Sequence, residues 1–154
     1  MSKPGDLLRL KAALRVVSSD MIDRDFVNGK VKDIRNLMAD LNRLTSKRFE
    51  ELSIDELYSM RYQIIALMEA LVSLCSHIAL EVYGYEPSSY KDCIAYVGER
   101  ERIECVKDMR SLIGLRNILI HRYWTVDDRK VHESARKDFN CIKKFLEEIV
   151  KKYG

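Results

Sequence analysis

Apolar residues recur at steps of three and four along almost the whole chain from Val27 onward, the spacing that lines one face of an α-helix. Val31, Ile34, Leu37, Met38, Leu41 and Leu44 predict a first amphipathic helix over roughly 28–47. Ser53 with Glu56 three residues on has capping-box spacing, in which each side chain satisfies a backbone donor at a helix start. The long helix it opens carries Leu57, Met60, Ile64, Leu67, Leu71, Leu74, Ile78 and Val82, and Ile65, Val72 and Ala79 widen that stripe enough to face two neighbours. Gly84 is a natural stop, and Pro87-Ser88-Ser89 restart the chain into a shorter helix bearing Tyr90, Ile94 and Val97, which Gly98 ends. From about Glu104, the residues Val106, Met109, Leu112, Leu115 and Leu119 predict a fourth helix running into Tyr123 and Trp124. Asp127 or Asp128 can cap the last helix, whose buried stripe is Val131, Ala135, Phe139, Ile142, Leu146 and Ile149. The expectation is an all-α antiparallel bundle of four to five helices over residues 21–154. Residues 1–20 form an N-terminal extension in which Leu7, Leu8, Leu10 and Leu14 could line an extra helix, and translation from Met21 accounts equally well for its standing apart.

Composition narrows the class. With 154 residues the chain suits one domain around one core, and 47% hydrophobic residues with only 6 Gly and 2 Pro suit helices better than a turn-rich sheet. Charged residues interrupt the apolar runs, so no membrane span is expected, and Lys3, Arg9, Lys11 and Arg15 break up any signal-peptide centre. A cytoplasmic location follows as an expectation. Cys75, Cys93, Cys105 and Cys141 are widely spaced, with no zinc-like pairing, and are expected as buried thiols. Neither a metal site nor a cofactor is expected. A net charge of +3 permits an RNA partner without arguing for one.

The segment with chemistry in it is Leu115-Arg116-Asn117-Ile118-Leu119-Ile120-His121-Arg122-Tyr123-Trp124. An arginine and a histidine separated by four intervening residues are weak evidence alone; Asn117 and Tyr123 make the pattern selective. At about 100° per residue, Leu112, Leu115 and Leu119 form a core stripe, and Ile113, Gly114, Asn117, Ile120 and His121 lie nearly opposite. That second face is expected to contact another copy of the chain, with Ile113, Gly114 and Ile120 in the interface. Cutting RNA by attack of its 2′-hydroxyl needs a base, an acid and positive charge for the phosphate. One copy supplies one such histidine, whereas a two-fold interface would bring Arg116 and His121 from both copies into one cleft. The guanidinium fork suits phosphate because it donates two charge-assisted hydrogen bonds.

Arg116-Asn117-x-x-x-His121-x-Tyr123, at the end of the fourth helix and ahead of an aspartate-capped last one, resembles the signature of HEPN ribonucleases of the HepT toxin kind. Leu52-Ser53, Tyr62-Gln63, Glu69, Pro87-x-Ser89-Tyr90 and Met109 add to the likeness, which spans roughly residues 21–153. The resemblance implies a HEPN-type homodimer, a metal-independent endoribonuclease with Arg116 and His121 as catalytic residues and Asn117 in support. It also implies a nucleotidyltransferase antitoxin that transfers AMP to Tyr123. Arg122 departs from the pattern, which favours a small residue there. The rival expectations are a non-catalytic HEPN-like partner or substrate-binding module of a nucleotidyltransferase, and a purely structural helical adaptor. Ordinary roles remain open as well: Arg116 as a surface ion pair, Asn117 as a helix-end amide, Tyr123 as packing for Trp124, and His77 and His132 as structural histidines.

Overall fold

The computed structural model describes residues 22–137 and 139–154, so the expected extension over residues 1–20 lies outside the described part. Among the described residues there are six α-helices: α1 Arg24–Thr45, α2 Ile54–Tyr83, α3 Tyr90–Arg100, α4 Val106–His121, α5 Asp128–Lys137 and α6 Phe139–Tyr153. They pack as an all-helical bundle in which α1 and α2 lie side by side and α4 is gripped between α2, α3 and α6. The core is a single cluster, with Met60, Ile64, Leu67, Met68, Leu71 and Ile78 of α2 at its centre, Ile34 and Leu41 from α1 and Phe145 from α6. Truncating so large a buried ring as Phe145 to alanine should cost about 3–5 kcal/mol.

Local chemistry sets the boundaries. The capping box at α2 is complete, with Glu56 N–H donating to Ser53 Oγ at 3.1 Å and Ser53 N–H donating to Glu56 Oε1 at 3.2 Å. Gly84 ends that helix at φ 60°, where a side chain would be strained. The first helix starts earlier than its apolar pattern suggests, because Asp23 caps it by accepting from Phe26 N–H at 3.0 Å. Gly98 does not end α3. It lies inside the helix, where a Cβ would sit 2.4 Å from Val106 Cγ2, so the missing side chain lets the start of α4 approach. Asp127 caps α5 through the Arg129 and Lys130 amides, which frees Asp128 for another partner.

Two expectations need correction. Helix α2 is long and apolar enough to cross a membrane by length and composition, with a mean hydropathy of 1.7 over its most apolar eighteen residues. Between Arg61 and Glu81 its one charged residue is Glu69. Since 56% of that stretch is buried inside the bundle, its apolarity is explained by a core position between neighbouring helices. Cys105 and Cys141 are joined in a disulfide that ties the residue ahead of α4 to α6, whereas Cys75 and Cys93 are free and buried. A cross-link between residues 36 apart restricts the unfolded chain by about 3–4 kcal/mol in the chain-entropy account. The pairing depends on the packing of α4 against α6, which cysteine spacing does not encode.

Candidate functional site

Helices α2 and α4 run antiparallel along the segment singled out above, since Glu69 meets Arg116 while Arg61, two turns earlier on α2, meets the Tyr123 carbonyl. Arg116 donates through Nε to Glu69 Oε1 at 2.9 Å and through Nη2 to the same oxygen. Its Nη1 donates to Asn117 Oδ1 at 2.9 Å, and the guanidinium carbon lies 4.6 Å from the centre of the Tyr90 ring. Tyr90 in turn donates its hydroxyl to Glu69 Oε2 at 2.8 Å, and that bond to a carboxylate, with some burial, holds the phenol's pKa above its ordinary value. These contacts occupy three of the five guanidinium N–H groups and leave two to face a ligand. Because Asn117 accepts through its oxygen, its amide nitrogen keeps both donors. A cavity of about 370 Å³ opens beside this cluster, lined by Ser89, Tyr90, Lys91, Ile113, Arg116 and Asn117.

His121 is the last residue of α4 and is exposed; among the described residues, no hydrogen bond joins it to Arg116, Asn117 or Tyr123. Tyr123 follows in a short 3-10 turn, Tyr123–Thr125, with 59% of its surface exposed and Trp124 edge-on at 5.2 Å. Arg61 fixes that turn by donating to the Tyr123 carbonyl at 3.2 Å while forking onto both carboxylate oxygens of Asp128 at 2.7 and 2.9 Å. The backbone of the turn is therefore held, and the Tyr123 phenol projects outward.

The residues expected to face a partner differ in exposure. Ile113 is 0% exposed and belongs to the core of its own protomer. It lies about 60° around α4 from Arg116, inside the arc buried by the helices that grip α4, so it is removed from the candidate interface. Gly114 is half-buried, and the Lys91 ammonium lies 3.8 Å from where its Cβ would be. Ile120 is 36% exposed, as is Ile118 at 39% on the opposite side of the helix. His132 is buried with Nε2 at 2.9 Å from the Lys47 carbonyl oxygen, and His77 lies against the Phe26 ring, so both have structural settings.

Glu69, Tyr90, Lys91, Arg61 and Asp128 had not been assigned to the site from sequence. A lone acid in an otherwise uncharged stretch of α2 was the signal available for Glu69. Tyr90, like Glu69, entered only through the family resemblance, and the site contacts of Lys91, Arg61 and Asp128 arise between helices distant in sequence.

Comparisons with known proteins agree with this architecture. A family model described as "Ribonuclease HepT-like" matches residues 30–149. No curated protein matches the chain. One similar solved structure is a mutant of the toxin-antitoxin MntA-HpeT, with a TM-score of 0.70 at 18% identity over 81% of this chain and 97% of that one. Another is a toxin-antitoxin with AMP-PNP, with a TM-score of 0.65 at 15% identity over 81% and 98% of the two chains. At such identities the likeness to these structures shows the fold.

Proposed function

The chain belongs to the HepT-like ribonuclease family, and on that premise we propose that it is the toxin of a toxin-antitoxin pair, a metal-independent endoribonuclease working in the cytoplasm as a homodimer. The observation that carries this reading is the pairing, on one helix, of an arginine already oriented by Glu69, Asn117 and Tyr90 with an open histidine at the helix end. An oriented guanidinium can hold a phosphate without first being ordered, and an accessible imidazole can exchange protons with substrate.

In the proposed reaction one imidazole removes the proton of an RNA 2′-hydroxyl, whose oxygen forms a bond to the adjacent phosphorus. The bond from phosphorus to the 5′ oxygen breaks, and a second imidazolium supplies the proton that this oxygen takes up. The products are a 2′,3′-cyclic phosphate and a 5′-hydroxyl. Each chain has one histidine on this flank, so acid and base are supplied by His121 and His121 of the partner subunit across a two-fold axis. The interface proposed for that dimer includes Ile120 and borders Gly114 and Asn117.

The partner is proposed to be a nucleotidyltransferase antitoxin, a reading supported by the toxin-antitoxin structures that share this fold. The Tyr123 phenol oxygen would attack the α-phosphorus of ATP, lose its proton and release pyrophosphate. The resulting AMP group adds negative charge and bulk beside His121, where it would compete with RNA.

The test uses the purified full chain with single-stranded RNA in excess chelator, followed by analysis of the product ends. Cleavage with 2′,3′-cyclic phosphate ends is expected. Loss of cleavage in the chelator, or 5′-phosphate ends, would overturn the metal-free mechanism.

A further inference from the structure

We infer that the flank of α4 carrying Arg110, Gly114, Asn117 and His121 is a track for the RNA backbone, on which Lys91 and Arg110 hold phosphates neighbouring the one that is cut. The inference rests on the RNA-cutting reading above and extends it to the way the strand is positioned. These four residues are spaced by four, three and four, which places them along one side of a helix. At Gly114 the missing side chain leaves room for Lys91, reaching over from the first turn of α3, to set its ammonium against α4. The flank therefore reads, from the N-terminal end of α4 to the C-terminal end, as a guanidinium, an ammonium, an amide and an imidazole.

The charges on this flank are what an RNA strand requires. Glu69 offsets the charge of Arg116, so that residue alone attracts a polyanion weakly. Lys91 and Arg110 are exposed and, among the described residues, have no ion pair. From Met109 to Val126 the chain contains no aspartate or glutamate, although it has 24 acidic residues in all. A face that was merely solvated would be expected to carry charges of both signs. The distances then assign each group. Lys91 meets α4 at Gly114, seven residues or about 10 Å along the axis from His121, and Arg110 is about 16 Å away. At these separations from His121 both are assigned to phosphates neighbouring the one under attack, as positioning residues.

Such contacts ignore base identity and release counterions, which gives them a signature that a structural role lacks. The experiment measures binding of single-stranded RNA oligonucleotides of several sequences between 50 and 200 mM salt, values at which phosphate contacts weaken steeply. It uses the full chain in its native oligomeric state, with Lys91→Ala, Arg110→Ala, the double variant and Lys91→Arg. Each alanine should reduce the slope of log affinity against log salt by about 0.7, equally for all sequences, and the double variant by about twice that. Lys91→Arg should restore the slope. In cleavage assays Lys91→Ala should raise KM more than it lowers kcat. Unchanged slopes and unchanged KM in the double variant would overturn the track. Because binding is read without cleavage, failure of the catalytic reading shows separately, as normal cutting by His121→Ala.

Discussion

Arg116 is held on three sides, by Glu69, Asn117 and the Tyr90 ring, whereas His121, five residues further along the same helix, is exposed and bonded to none of the residues around Arg116. The contrast follows from where each residue meets the bundle. Arg116 faces α2 and the start of α3, so its charge is half-buried and needs a carboxylate, while His121 ends α4 on an exposed side. A phosphate-binding group benefits from being fixed in advance, because the ordering has already occurred on folding. A proton-transfer group and a modifiable phenol benefit from access. Under the proposed mechanism, holding and reacting are thus separated within two turns of one helix.

The held end can be broken first at Glu69. Glu69→Ala leaves Arg116 without its anchor and should lower kcat/KM by about 10–100-fold, since small misplacements of a positioned group are costly. Helicity and dimer formation should persist, as judged by circular dichroism and light scattering. Normal activity in this variant would show that Arg116 needs no orienting acid. Tyr90→Phe is milder, because the ring stays over the guanidinium and Glu69 keeps its bonds to Arg116 when the phenol's hydrogen bond is lost, and kcat/KM should fall only a few-fold. A loss as large as that of Glu69→Ala would place the hydroxyl itself in the chemistry.

On the open end, Tyr123→Phe should change the unmodified enzyme least, since no described residue hydrogen-bonds the phenol and the ring keeps its contact with Trp124. The same variant should resist ATP-dependent silencing by a nucleotidyltransferase antitoxin, with mass spectrometry finding AMP on the Tyr123 peptide of the wild-type chain alone. Silencing of Tyr123→Phe at the wild-type rate would remove this residue from regulation.

Much of the architecture was legible in the sequence because helix periodicity and caps are local. The Ser53–Glu56 box, the Gly84 stop and the aspartate cap of α5 all fall where their residue types put them. Gly98 misled because a glycine that ends a helix and one that admits a neighbour look alike until the neighbour, Val106, is in place. Ile113 misled for a related reason: periodicity finds the centre of a buried stripe, and the number of helices packed around α4 sets its width. The motif residues were visible as a spacing, but the clamp of Glu69 and Tyr90 and the Cys105–Cys141 bridge are tertiary pairings over 47, 21 and 36 residues.

The central claim is that His121 acts in the chemical step while the Arg116 cluster holds the phosphate, and single-turnover kinetics of His121→Ala tested alongside its RNA affinity address it most directly. The account predicts that the cleavage rate falls by about 10²–10⁴-fold, the usual cost of losing a general acid or base, while the RNA dissociation constant stays close to that of the wild-type protein. A variant that binds RNA poorly yet cuts what it binds at the wild-type rate would contradict it, because His121 would then be a binding group and the reacting proton would be carried elsewhere.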